Sequence, residues 1–257
     1  MVVEVHYWQQ FELRDATMER TRVSLLSPPE NNKVTAEAFY TLLRSDDPDA
    51  VCVAINYYAN AASSRHFGGE NKLAADTAEV LERARAVLRG ELEGEGRAAE
   101  DDLAEERVAT ALSAITDLVE PKDTPLVLKA LAVARSEEGD EGACYAAAHL
   151  LQVLPPGSDG SQKLITALSR TAFDESLPTS RRWPALDAIG MSSSETAISR
   201  LLRALDSPAI ELQAVAGMAL AELDLERFRP RLERMVASWP EVNDFPAYQL
   251  VELLQES

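Results

Sequence analysis

Apolar residues in the last third of this chain recur at a step of 34 residues, and that step constrains the fold more than any other feature. Ala185 coincides with Ala219, Leu186 with Leu220, Ile189 with Leu223, Ile198 with Leu232, Leu201 with Met235 and Leu202 with Val236. The same step taken backwards from Ile198 and Leu202 reaches Leu164 and Leu168. A unit this short cannot bury its own apolar face, so it must stack on neighbours of the same kind. Each unit reads as two helices: Arg182–Ile189, then Glu195–Leu205, with residues 198, 201, 202 and 205 on one helical face. Composition agrees. Alanine and leucine dominate the apolar 46%, aromatics are only 6%, and unbranched side chains lose least freedom in a helix.

The boundaries of the elements follow from local signals. Ser192, three residues before Glu195, predicts a capping box in which each side chain satisfies a backbone donor. Asp206-Ser207-Pro208 ends that helix, with Pro208 placed as the first residue of the next and Ser207 as its cap. The next helix carries Leu212 to Leu223. Its partner, with Phe228 and Leu232, is expected to start close to Pro230, because proline breaks a helix interior. Upstream, helices are expected around Leu103–Val119, through Leu126–Leu131, over Ala143–Leu154 and over Lys163–Ala172, the last two separated by Pro155-Pro156-Gly157. Residues 42–51, Leu-Leu-Arg-Ser-Asp-Asp-Pro-Asp-Ala-Val, echo residues 201–210, Leu-Leu-Arg-Ala-Leu-Asp-Ser-Pro-Ala-Ile, with one residue of slippage. A helix from Asp49 to about Ala62 and another over Asn71–Arg89 follow. Pro246–Leu254 reads as a closing helix with Tyr248, Val251 and Leu254 inward. The organisation is then 1–32, an irregular cap with alternating Val3, Val5 and Tyr7; 33–90, a first set of helices; 91–99, an acidic flexible loop in the stretch Gly90–Gly96; and 100–257, a second set with the closing helix.

Paired helices at this step, ending in Leu-Leu-Arg-Ala-Leu-Asp-Ser-Pro and followed by Ala214-Val215-Ala216-Gly217-Met218-Ala219-Leu220-Ala221-Glu222-Leu223, resemble bacterial HEAT repeats. The resemblance is strongest over 178–238 and does not extend to 1–30. It implies an all-α fold, a right-handed α-solenoid of HEAT-like helix pairs whose second helices line a concave surface for a macromolecular partner. It implies no reaction, because one fold hosts many functions. Leu212-Gln213 stands where the family carries a Val-Arg pair, which leaves the family's Asp–Arg ladder without its arginine at that place. HEAT-like proteins include DNA glycosylases that act on alkylated bases, and that is the enzymatic alternative. An assembly or regulatory scaffold for an enzyme complex is the other.

Catalytic and metal-binding patterns are missing from the sequence. His6, His66 and His149 are scattered, Cys52 and Cys144 each sit in an apolar helical stretch, and no His-x-x-x-His, Cys-x-x-Cys or phosphate-loop string occurs. No catalytic residue, metal or cofactor is expected, and buried thiols fit a cytoplasmic protein. The balance of 43 acidic against 25 basic residues, net −18, argues against nucleic acid, whose phosphates need a basic surface. No apolar stretch is long enough to span a membrane. Charge is concentrated instead: residues 91–141 hold fifteen acids against five bases. Asp101 and Asp102 favour a helix start through the macrodipole, by about 0.3–1 kcal/mol each. Yet Asp101–Glu105 and Asp102–Glu106 are like-charge pairs one turn apart, each costing about 0.2–0.5 kcal/mol, so stability alone does not ask for them. The segment reads either as a solvated surface or as a docking patch, and in the second case the candidate partner-binding residues are Glu100, Asp101, Asp102, Glu105, Glu106, Glu137, Glu138, Asp140 and Glu141. The expected partner is a protein with a basic surface, most specifically a toxin or effector domain held by an inhibitor or immunity-type protein. Arg227, Arg229, Arg231 and Arg234, with Arg181 and Arg182 earlier, are read as inter-repeat pairs with Glu226 and Glu233. Tyr57, Tyr58, Trp183 and Trp239 are candidate exposed anchors, although filling gaps between repeats is the more common role of such residues.

Overall fold

The computed structural model describes residue 18 and residues 32–66, 77–93, 103–133, 137–240 and 244–256. Every regular element among them is helical. The chain divides into two compact units, residues 1–118 and 119–257. The predicted alternation of Val3, Val5 and Tyr7 lies outside the described residues, as does the stretch 94–102.

The first unit contains α1 (Asn32–Leu43), α2 (Pro48–His66), α3 (Thr77–Glu93) and α4 (Leu103–Ile115). Helix α2 packs on α1, α3 and α4, and α3 packs on α4. Phe39, Leu42, Leu43, Ile55, Leu88, Leu112 and Ile115 fill the core between them. The start of α2 follows the sequence signal: Asp47 Oδ1 accepts the Asp49 N–H at 3.0 Å, and Pro48, which has no N–H to satisfy, is the first helical residue. Gly90 to Glu93, read as loop, are the last turn of α3. The reason is Glu91, which is held by Arg107 of α4 and so cannot swing into solvent.

The second unit runs through α5 (Thr124–Val133), α6 (Glu137–Val153), α7 (Asp159–Ala172), α8 (Thr179–Gly190), α9 (Glu195–Ala204), α10 (Ile210–Val236) and α11 (Ala247–Glu256). Its helices form two rows. In one, α6 packs on α8, α8 on α10, and α10 on α11; in the other, α5 packs on α7 and α7 on α9. Leu150, Leu164, Ile165, Leu168, Ala185, Ile189, Leu201, Leu220 and Leu232 are buried between the rows. Two close approaches set the spacing within the first row. A Cβ on Gly190 would lie 2.6 Å from that of Ala219, and one on Gly217 would lie 2.5 Å from Leu250 Cδ2. Glycine at 190 lets α8 and α10 approach with nothing between them.

Several boundaries differ from expectation, each for a local reason. The cap of α9 is Ser194, whose Oγ accepts from Ala197 N, while Ser192 is buried and hydrogen-bonds Ser194. Pro208 precedes α10 by two residues, and Ser207 Oγ instead holds the Ala209 N–H in the turn. Helix α10 is broken at Asp224, which has extended dihedrals (φ −167°, ψ 86°). Asp224 Oδ1 accepts the Arg227 N–H at 3.0 Å, so it caps a second helical segment that begins six residues before Pro230. In α11 the inward residues are Ala247 and Leu250, and Tyr248 is exposed.

Candidate protein-binding face

The acidic stretch 91–141 is not one surface in the described residues. Glu91 binds the buried Arg107 guanidinium at 2.7 Å, which also binds Asp49 at 2.9 Å. Glu120 and Asp123 form a capping box before α5, where the Glu120 N–H donates to Asp123 Oδ2, and Glu120 also pairs with Lys122. Of the nine candidate residues, Glu100, Asp101 and Asp102 lie outside the described residues. Glu105 and Glu106 sit in the first turn of α4, half-buried and already engaged. Glu137, Glu138, Asp140 and Glu141 open α6 in the second unit, and of their side chains only that of Glu141 is described. The candidates thus divide between the two units.

A different acidic row takes shape in the second unit, along α6, α8 and α10. The Tyr145 hydroxyl donates to the Glu141 carboxylate, and Tyr145 also feels the charge of Asp187 on α8. Asp187 in turn faces Glu222 on α10. Burial first, and then Glu222, raises the Asp187 carboxyl above the ordinary carboxylate range, because both disfavour its charged form. Burial, followed by the bond to Glu141, raises the Tyr145 phenol. Tyr145 nonetheless keeps 40% of its surface exposed. Helix α6 and α10 as far as Asp224 carry seven acids and no lysine or arginine. Only Glu141 of this row was named from sequence. Asp187 and Glu222 were missed because they are isolated acids 35 residues apart, and only the packing of α8 on α10 joins them. Their near-match to the 34-residue step was the available signal.

The arginines of the second unit do other work. Arg231 donates to the Leu202 carbonyl at 3.0 Å and to Asp206, and Arg182 donates to the Ala172 carbonyl at 3.1 Å. Arg229 reaches the Leu254 carbonyl at 3.1 Å and, more weakly, Glu233. Each of these closes the C-terminal end of another helix, where the last carbonyls have no intrahelical donor. The first unit repeats the device: Arg83 donates to the carbonyls of Leu43 and Ser45. The expected pairing with Glu226 is replaced by bonds to carbonyls. In the place of the missing family arginine, Gln213 donates to the Ser207 carbonyl and accepts from Trp239 Nε1. Trp239 is therefore an internal brace. Tyr58 is buried, with its hydroxyl 2.9 Å from Thr77 Oγ1, while Tyr57 and Trp183 are half-buried.

No family model matches the chain, and no curated protein sequence matches it. Among the described residues, no group of three or more His, Cys, Asp or Glu is placed to hold a metal ion. No described helix is long and apolar enough to cross a membrane. Cys52 and Cys144 are buried free thiols, and burial, then Asp49, pushes the Cys52 thiol far above its ordinary range.

Proposed function

We propose that the chain is a non-enzymatic protein-binding module, that its helix pairs continue as a HEAT-like right-handed α-solenoid, and that the row Glu141–Tyr145–Asp187–Glu222 receives a partner with a basic surface. The observation that carries this is the acidic row itself: carboxylates from three packed helices around a part-exposed tyrosine, with no lysine or arginine on α6 or on α10 as far as Asp224. Exposed ion pairs contribute only about 0.2–1 kcal/mol each, so three carboxylates alone do not make a tight complex. They steer encounter and select sign, while an aromatic such as Tyr145 supplies buried area. A cation docked on the row also relieves the repulsion between Asp187 and Glu222. The most specific form of this reading is an inhibitor or immunity-type protein that covers the basic surface of a toxin or effector domain.

Hydrogen exchange in the presence of an arginine–leucine amphipathic peptide tests the location. Protection is expected in α6, α8 and α10 up to Asp224. Protection confined to α7 and α9 would place binding on the other row and defeat the proposal.

A further inference from the structure

We infer that the second unit carries a second, oppositely charged site: an arginine-lined edge that binds an acidic, partly apolar peptide segment. Two adjoining clefts open around the turn between α9 and α10, and Asp206 lines both. The smaller, about 200 Å³, is lined by Phe173, Arg182, Leu186, Arg203 and Leu212. The larger, about 440 Å³, is lined by Leu205, Gln213, Arg231, Arg234 and Met235. In a chain of net charge −18, four arginines thus meet at one edge, opposed by Glu175 and Asp206.

Three of these guanidiniums are positioned without a hydrogen bond to a carboxylate. Arg182 is tethered by Nε to the Ala172 carbonyl, and Arg234 by Nε to the Pro230 carbonyl at 3.0 Å. Arg203 lies over the Phe173 ring, 4.3 Å from its centroid. Only Arg231 hydrogen-bonds a carboxylate, through Nη2 alone, while Arg182 acts on Asp174 by charge without a bond. A carbonyl or an aromatic face fixes a guanidinium but leaves its charge and its terminal N–H groups for a ligand. Among the described residues, the Nη atoms of Arg182, Arg203 and Arg234 and the Nη1 of Arg231 make no hydrogen bond within the protein. Fixed forks of this kind take a carboxylate in a bidentate way and lose little side-chain entropy in doing so.

The apolar walls decide between anions. Part-exposed Phe173 in one cleft and Met235 in the other, floored by the buried Leu186, Leu205 and Leu212, offer a phosphate nothing. They suit a segment in which carboxylates alternate with aliphatic side chains, and nucleic acid is further opposed by the chain's net charge.

A fluorescein-labelled peptide of alternating glutamate and leucine, titrated by anisotropy at about 50 mM salt, tests the site. Saturable binding is expected. Arg203→Glu and Arg234→Glu should each weaken it by about tenfold or more, since each places a like charge against the carboxylates. Arg203→Met, which keeps an apolar stem over Phe173, should weaken it less than Arg203→Glu. Arg170→Glu on α7, an exposed charge outside both clefts, should leave it unchanged. The proposal is overturned if the wild type does not bind, if Arg170→Glu weakens binding as much, or if pyrophosphate binds while the peptide does not. Because these side chains are distinct from the acidic row, failure here leaves the basic-partner reading standing.

Discussion

Replacing Arg107 by methionine removes the guanidinium that joins three helices of the first unit. Arg107 is 6% exposed. Its Nη1 lies 2.9 Å from Asp49 on α2 and its Nε 2.7 Å from Glu91 on α3, and those two side chains are only 16% and 13% exposed. Breaking a buried ion pair by deleting one partner costs about 3–5 kcal/mol, because the remaining charge is left without compensation. Here two carboxylates are stranded, but the residual exposure lets water reach each, which argues for the lower end, about 3 kcal/mol. For a unit of this size that corresponds to a fall in Tm of about 10 °C. The combined variant Arg107→Met, Asp49→Ala, Glu91→Met removes every charge of the triad. It loses only the helix-start contribution of Asp49, about 0.3–1 kcal/mol, so it should be more stable than the single variant by about 2 kcal/mol. Urea unfolding followed by circular dichroism, with calorimetry, reads both differences. A cost below about 1 kcal/mol for the single variant, or a triple variant worse than the single, would refute the reasoning.

Further outcomes follow from the second unit and from the thiols. Asp187→Asn should raise Tm near neutral pH, because the folded protein resists ionising this carboxyl; the gain should vanish once pH falls below the ordinary Asp value of 3.8, where both folded and unfolded carboxyls are protonated. A gain that grows on acidification would contradict the packing of Asp187 against Glu222. Gly190→Ala should cost about 1–3 kcal/mol by overpacking α8 on α10, and Ala219→Gly should recover most of it in a double-mutant cycle, whereas additive losses would mean the two positions do not touch. Cys52 and Cys144 should both resist a thiol reagent in the native protein and react together on unfolding, as counted by absorbance; rapid labelling of either without denaturant would place that thiol on the surface.

The all-helical fold was legible because core spacing survives in the sequence. Of the positions aligned by the 34-residue step, 164, 168, 185, 186, 189, 198, 201, 219, 220 and 232 are buried, while 202, 223, 235 and 236 are half-buried. Caps were legible to within two residues. Three serines in a row, Ser192 to Ser194, precede Glu195, and Ser194 is the cap because its Oγ reaches Ala197 N. The site was legible only at Glu141. Local charge density pointed to 91–141, but density does not record which acids a buried arginine or a helix cap will take up. The row that stays available is assembled across α6, α8 and α10, from residues that no short window contains.

In the proposed function a particular acidic row, and not net charge, receives a cationic partner. Its most direct test is the salt-dependent affinity of one arginine–leucine peptide for wild type, for the double reversal Glu141→Lys with Glu222→Lys, and for Glu195→Lys on α9, an exposed acid in the other row. About a tenfold or greater loss is expected for the first variant at about 50 mM salt, shrinking as salt screens the row, and no change for the second. Equal losses in both variants would show that the peptide reads only the overall negative charge, and would contradict the site.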